Sequence, residues 1–271
     1  MPKHLQGAWF PLTMRFFLFT IFFTFAALAG RAEVPALLDE ALQKTLRDTD
    51  RWAFTQTWAE FDGKGKELKR AVVRFDPSKP YAEQYTPLSV DGKPPTEGDF
   101  AKYRRRGEKR GERAEKAERE GAETADKNRQ TLGELMDIER ATLTEEDATT
   151  ITYEVPLKKE GNKRFPPEKF QVLARVNKAT RGFERIEVKL REAMRSMLVV
   201  KIKSGEGAME FATVDPKFAP ALVTVKGGGS ASVVFVPIGR RYDLKHEDFK
   251  RVKPYADRFG VQIGTMKTID F

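Results

Sequence analysis

The spacing of apolar residues changes sharply after Arg47. In VPALLDEALQKTLR, Val34 to Arg47, the residues Leu37, Leu38, Ala41, Leu42 and Leu46 recur at intervals of three and four. That spacing predicts a helix with one apolar face, and Pro35 suits its first turn. In DRWAFTQTWAEFDGKG the period drops to two. Trp52, Phe54, Gln56 and Trp58 fall on one side, and Ala53, Thr55, Thr57 and Ala59 on the other. Aromatic and β-branched residues in alternation predict a strand. Asp62-Gly63 and Gly65 mark a turn. ELKRAVVRFD answers as the returning strand, with Ala71, Val73 and Phe75 set against Val72 and Arg74.

The next stretch, DPSKPYAEQYTPLSVDGKPPTEGDF, carries turn chemistry. Asp76-Pro77 stops the strand, because proline cannot donate to a ladder. Tyr81 to Val90 is predicted as a short edge strand broken at Pro87, and Asp91-Gly92 as a turn. Thr96 followed by Asp99 has the spacing of a capping box, so a helix starts there. From Glu97 to Arg129 the chain holds 11 Lys and Arg against 9 Asp and Glu, a net of +2. Apolar residues beyond alanine almost vanish after Tyr103. Such a segment is a solvated helix, a frayed one or a disordered one. Gly107 and Gly111 are read as weakening it. TLGELMDI then regains an apolar face and is expected to pack back.

The rest reads as a meander. Predicted strands are 149–155, 170–177, 183–190, 197–204, 208–214, 222–226, 231–238 and the C-terminal GVQIGTMKTIDF. Turn signals separate them, including Gly205 to Gly207 and the triple glycine Gly227 to Gly229 in VKGGGSASV. Two helical pieces against one meander make an α+β fold. Ile186, Val188 and Leu190 face one way, and Arg185, Glu187 and Lys189 the other. Leu198, Val200 and Ile202 oppose Lys201 and Lys203 in the same manner. The joined apolar faces form either a plain core under helix 34–47 or a cavity for acyl chains. Trp52, Phe54, Trp58, Phe75 and Phe211 are the candidate liners of such a cavity.

The N-terminus alters the setting. MRFFLFTIFFTFAALAGRAEVP has a short basic start at Arg15, an apolar run from Phe16 to Leu28, and small-residue sites at Ala29 and Ala32. This is the layout of a secretory signal peptide over residues 1–32, with Met1 or Met14 as the start. The apolar run falls short of the roughly 20 residues that a spanning helix needs. Export to a periplasm-like space follows. Loss of residues 1–32 removes Lys3, Arg15, Arg31 and no acid, so a net charge of +9 becomes +6. Nucleic acid is not the expected partner. The chain has no cysteine, hence no disulfide, thiol nucleophile, thiolate metal site or lipid-acceptor thiol.

Candidate chemistry is sparse. His4 falls in the leader, which leaves His246 in YDLKHEDF, a stretch that reads as a polar surface loop. One histidine supports neither a metal site nor a triad, and no G-x-S-x-G elbow is present. No catalytic residue, metal or cofactor is assigned. A carboxylate pair for glycoside hydrolysis stays open, because the distances between acids are not visible in sequence. The basic segment 103–113 interleaves acids and lacks stacking aromatics, which disfavours RNA. Anionic lipid head groups suit it better.

Helix 34–47 followed by RWAFTQTWAEFDGKGKELKRAVVRFDPSKP resembles the opening of the outer-membrane lipoprotein carrier superfamily. RFDPSKPYAEQYTPLSVDGKPPT resembles a block found in exported bacterial proteins of that type. The resemblance implies a strongly curved, unclosed antiparallel β-sheet, a half-barrel covered by helices. Here it would form one domain over 33–271, with a charged helical insertion at about 97–138. It implies a monomeric, non-enzymatic periplasmic protein that binds an apolar or acylated ligand on the concave face, for trafficking or sensing. The alternative is an envelope scaffold whose charged insertion binds a partner protein or an anionic membrane surface.

Overall fold

The computed structural model describes residues 35–48, 51–120, 132–159, 166–196, 200–233 and 236–258. The predicted leader and the predicted C-terminal strand fall outside them, as does Leu198.

The fold is α+β, built on an unclosed antiparallel sheet of 11 strands. Helix α1 (Ala36–Asp48) precedes β1 (Trp52–Asp62), β2 (Glu67–Phe75) and β3 (Tyr85–Val90). Helices α2 (Glu97–Glu120) and α3 (Leu132–Leu135) follow. Then come β4 (Thr142–Glu146), β5 (Thr150–Glu154), β6 (Phe170–Asn177), β7 (Gly182–Leu190) and β8 (Met194–Ser196). Three long strands end the sheet: β9 (Val200–Ala212), β10 (Ala221–Val233) and β11 (Val236–Arg251). The strand order is β3-β2-β1-β11-β10-β9-β7-β6-β5-β4, with β8 beside β9. Two meanders are thus joined where β1 pairs with β11. The segment carrying α2 and α3 connects one edge of the sheet, β3, to the other, β4.

The hairpin β1–β2 forms as the alternation predicts. Asp62 Oδ1 accepts the amides of Lys64 at 2.8 Å and Lys66 at 2.9 Å, which ties the turn. The edge segment begins as a 3-10 turn at Tyr81–Glu83, and only Tyr85–Val90 is strand. Pro87 is tolerated in it because β3 is an edge. The capping box is present. Asp99 Oδ2 accepts the Thr96 amide at 2.9 Å, and the Asp99 amide donates to Thr96 Oγ1 at 3.3 Å.

The glycine turns are the main correction. Gly205 and Gly207 lie inside the single strand β9, and Gly227 to Gly229 lie inside β10. The two hairpins predicted there are two continuous strands. Predicted strand 231–238 is divided between β10, which ends at Val233, and β11, which begins at Val236, and these two residues pair with each other. At Gly228, Gly229 and Gly239 glycine sits mid-strand because another backbone approaches it. A Cβ on Gly229 would lie 2.8 Å from the Ser204 carbonyl, and one on Gly239 would lie 2.9 Å from Gly63 Cα. The edge strand β4, fully exposed and charged, was not anticipated.

Register assigns every strand an inner and an outer face. The inner face is the one α1 covers. Under it Val172, Ala174, Val176, Phe183 and Ile186 pack against Leu38, Ala41 and Leu42, with Tyr153, Val155 and Met136 alongside. Met136 follows directly after α3, so TLGELMDI does pack back. The buried stripe of α1 continues through Thr45 and Asp48, while Leu46 is 38% exposed. The stripe tracks the helix, and Leu46 lies one step off it. The outer face carries ion pairs. Arg185 bonds Glu187 and, at 2.6 Å, Glu210; Lys245 meets Glu247 at 2.6 Å. Exposed pairs of this kind contribute little stability, but they keep that face wet.

Candidate ligand-binding face

One row of inner positions crosses the sheet. It runs Tyr153–Ala174–Ile186–Met209–Val225–Leu244–Trp58–Ala71 by successive strand pairings. The β5–β7 end of the row is buried under α1. Ala71 is buried at the other end. In between, Met209, Val225, Leu244 and Trp58 are only half-buried. The next inner row bares the backbone: Val188, Gly207, Gly227 and Tyr242 lie side by side. Tyr242 is 41% exposed and its ring stacks on Trp58, with centroids 6.3 Å apart and planes at 23°. The middle of the inner face is therefore an apolar band with a glycine floor beside it.

The second inner cluster lies at the β1–β2–β3 end. Trp52 is buried and meets Phe218 and Phe249 edge-on, at 5.8 and 6.1 Å. Phe54 packs on Phe75 at 5.1 Å, on Phe249 at 5.8 Å and on His246 at 4.0 Å. Phe75 reaches Tyr85 at 4.7 Å. A β-bulge builds part of this. Between the pairs Ala53↔Lys250 and Thr55↔Glu247, β11 sets Asp248 and Phe249 against Phe54 alone. Asp248 takes φ 53° at this point. Its carbonyl accepts a bond from Arg74 Nη1 at 2.9 Å. The bulge turns Phe249 inward, a re-aiming that bulges commonly perform.

The five sequence candidates thus occupy three neighbourhoods. Trp52, Phe54 and Phe75 share the aromatic cluster. Trp58 stands on the open band with Tyr242. Phe211 packs on Phe183 at 5.8 Å, against the core under α1. A cleft of about 260 Å³ exists elsewhere, beside the β1–β2 turn, lined by residues such as Asp62, Ser204, Glu206, Ser230 and Arg241. None of the five lines it.

Sequence reasoning missed His246. It lies on β11, not in a surface loop, and is 8% exposed. Its Nδ1 is 2.9 Å from the Leu222 carbonyl oxygen. Burial holds its pKa below the ordinary imidazole value, and the bond to Leu222 only partly opposes this. The alternation Tyr242, Leu244, His246 was a signal, hidden by the charged residues between them.

Helix α2 covers the β2–β3 end. Arg110 lies over Tyr85, Tyr81 and Phe75 at 4.8, 5.7 and 5.8 Å from the ring centroids, and bonds Gln84 Oε1. A Cβ at Gly107 would sit 2.1 Å from the Tyr81 carbonyl oxygen, and one at Gly111 3.1 Å from the Tyr81 ring. The two glycines are the docking surface, which corrects their reading as mere weak points. Lys102, Arg104, Arg105, Arg106 and Lys109 remain exposed.

At the far end of α1, Asp48 bonds Arg251 at 2.6 Å and the Ala219 amide at 3.0 Å. Burial raises the Asp48 carboxyl, but these partners outweigh it and hold the pKa below the usual value. The Arg251 guanidinium lies 4.0 Å from the Phe218 ring centroid and 5.0 Å from that of Trp52. Among the described residues, no three His, Asp or Glu side chains gather to hold a metal, and no helix is long and apolar enough to cross a membrane.

No family model matches the chain, and no curated protein matches it. Among solved structures, the crystal structure of a LolA superfamily protein from Nitrosomonas europaea is similar, at 11% identity and a TM-score of 0.36, covering 83% of this chain and 96% of that one.

Proposed function

We propose that this is a non-enzymatic, monomeric protein of the periplasm that binds an apolar or acylated ligand on the inner face of its sheet, for envelope trafficking or sensing. Residues 1–32 act as the cleaved leader in this reading, and 33–271 form the working domain. The half-buried band of Met209, Val225, Leu244 and Trp58 is the observation that carries it. A half-exposed apolar row between two buried ends is an unfinished burial, and an alkyl chain completes it at about 0.8 kcal/mol per methylene. Trp52, Phe54, Phe75 and Phe211 serve in this proposal as walls around the band. Titration of delipidated protein with a fluorescent fatty acid or a lipopeptide is the test. Saturable binding that weakens in Trp58→Ser is expected. Binding that never saturates would sink the proposal.

The exposed cations of α2 support a second reading, attachment to an anionic membrane surface or an acidic envelope protein. Charge reversal at Arg104, Arg105 and Lys109 would then abolish salt-sensitive binding to anionic vesicles, at roughly 1 kcal/mol per cation lost. Ligand binding to the band would persist.

A further inference from the structure

His246 sits one inner position beyond Leu244 on β11, opposite Gln56 of β1. It therefore adjoins the apolar band directly. Its ring is clamped on Phe54 at 4.0 Å and meets Phe249 edge-on at 6.5 Å. The tautomer follows from one contact. A carbonyl oxygen only accepts, so the 2.9 Å bond to Leu222 O puts the proton on Nδ1. Nε2 is left as a lone-pair acceptor. No hydrogen bond to it is found among the described residues, and it is not one of the fully enclosed unpaired atoms, so it keeps contact with solvent. Burial keeps the ring uncharged at neutral pH, so the free nitrogen stays an acceptor.

A ligand seated on the apolar band would displace that solvent, and the acceptor would then require a donor from the ligand. We propose that His246 Nε2 is a specificity-determining acceptor, and that the inner face selects amphiphiles bearing an N–H or O–H donor next to the acyl chain. Amide-linked and hydroxylated chains meet that requirement. Esters offer no proton, and a fatty carboxylate brings lone pairs against a lone pair. This rests on the proposed ligand reading and adds the polar chemistry that the band itself does not specify. Hydrophobic pockets discriminate poorly by shape alone, whereas a polar group left unpaired by the wrong ligand discriminates well.

N-methyldodecanamide and methyl dodecanoate differ only in N–H against O at one atom, and they are the probes. Isothermal titration of the mature chain should show the amide binding roughly three- to tenfold tighter, the worth of one net hydrogen bond. His246→Asn keeps a donor for the Leu222 carbonyl but removes Nε2. It should erase the preference by weakening the amide alone. His246→Phe, which preserves the ring stack on Phe54, should do the same. Thermal melts establish that the variants are folded. Equal affinities in the wild type, or a preference that survives in both variants, overturn the assignment of His246 while leaving ligand binding intact. Saturable binding of neither probe overturns the ligand reading itself, and this inference with it.

Discussion

Helices α1 and α2 cover opposite ends of one inner face by opposite means. α1 docks with Leu38, Ala41 and Leu42, all at most 2% exposed. α2 docks with the absence of side chains at Gly107 and Gly111, and with one cation laid over three aromatic rings. The first is burial of apolar area, which the hydrophobic effect rewards wherever shapes fit. The second is close backbone approach, in which stability depends on tenths of an ångström and on a guanidinium that keeps its partners. An amphipathic pattern is therefore sufficient for a helix to dock but not necessary. α2 is highly charged and still has a fixed seat.

Truncation in α1 should have the largest effect. Leu38→Ala or Leu42→Ala is expected to cost about 2–5 kcal/mol in chemical denaturation, as large-to-small core changes do. Hydrogen exchange in α2 should stay protected up to the new global limit. Gly107→Ala inverts this. Alanine improves intrinsic helicity by about 1 kcal/mol, yet its Cβ meets the Tyr81 carbonyl. The net expectation is a loss of about 1–3 kcal/mol, typical of overpacking, confined to α2 exchange and proteolysis. An unchanged α2 would show that the helix does not need this approach.

Smaller effects refine the contrast. Arg110→Met should loosen α2 by about 1 kcal/mol, through the lost cation–π contacts and the lost bond to Gln84. Thr96→Ala should cost about 1 kcal/mol at the N-terminus of the same helix, read as earlier fraying. The smallest effect concerns pH and belongs to the core side. The folded pKa of His246 lies below its ordinary 6.5, so unfolding takes up a proton between the two values. Stability should be fully present above about pH 6.5 and fall as pH drops below it. His246→Phe should remove that slope. Asp48 adds a second loss at lower pH, below the ordinary carboxylate value of 3.8, because its folded pKa is lowered. Measured α2 exchange rates, corrected for intrinsic pH dependence, should follow neither group.

Much of the fold was legible in the chain. α1, the β1–β2 hairpin, the Thr96 capping box, β6 and β7 each rest on local rules: period 3.6, period 2 and reciprocal side-chain bonds. The long strands β9 to β11 were not legible, because glycine in sequence signals a turn. At Gly228 and Gly229 it instead lets neighbouring strands come close. β11 was obscured for another reason. YDLKHEDF alternates correctly, but its outward residues are so charged that the inward Leu244 and His246 pass unnoticed. The site candidates fared likewise. All five aromatics are inner-face residues, yet only Trp58 lies on the open band. Position along the sheet, not alternation, separates wall from floor.

The sequence by itself determined which residues turn inward on β1, β2 and β7, where α1 and α2 begin, and that cysteine chemistry is absent. Those are properties of spacing and residue type. Only the tertiary structure decided what each glycine is for, and that a charged helix finds a seat. It also decided that a histidine among acids is buried and neutral. Glycine's role depends on what approaches it, and a histidine's proton on what accepts it. Both are set by residues distant in the chain: Tyr81 for Gly107, and Leu222 for His246.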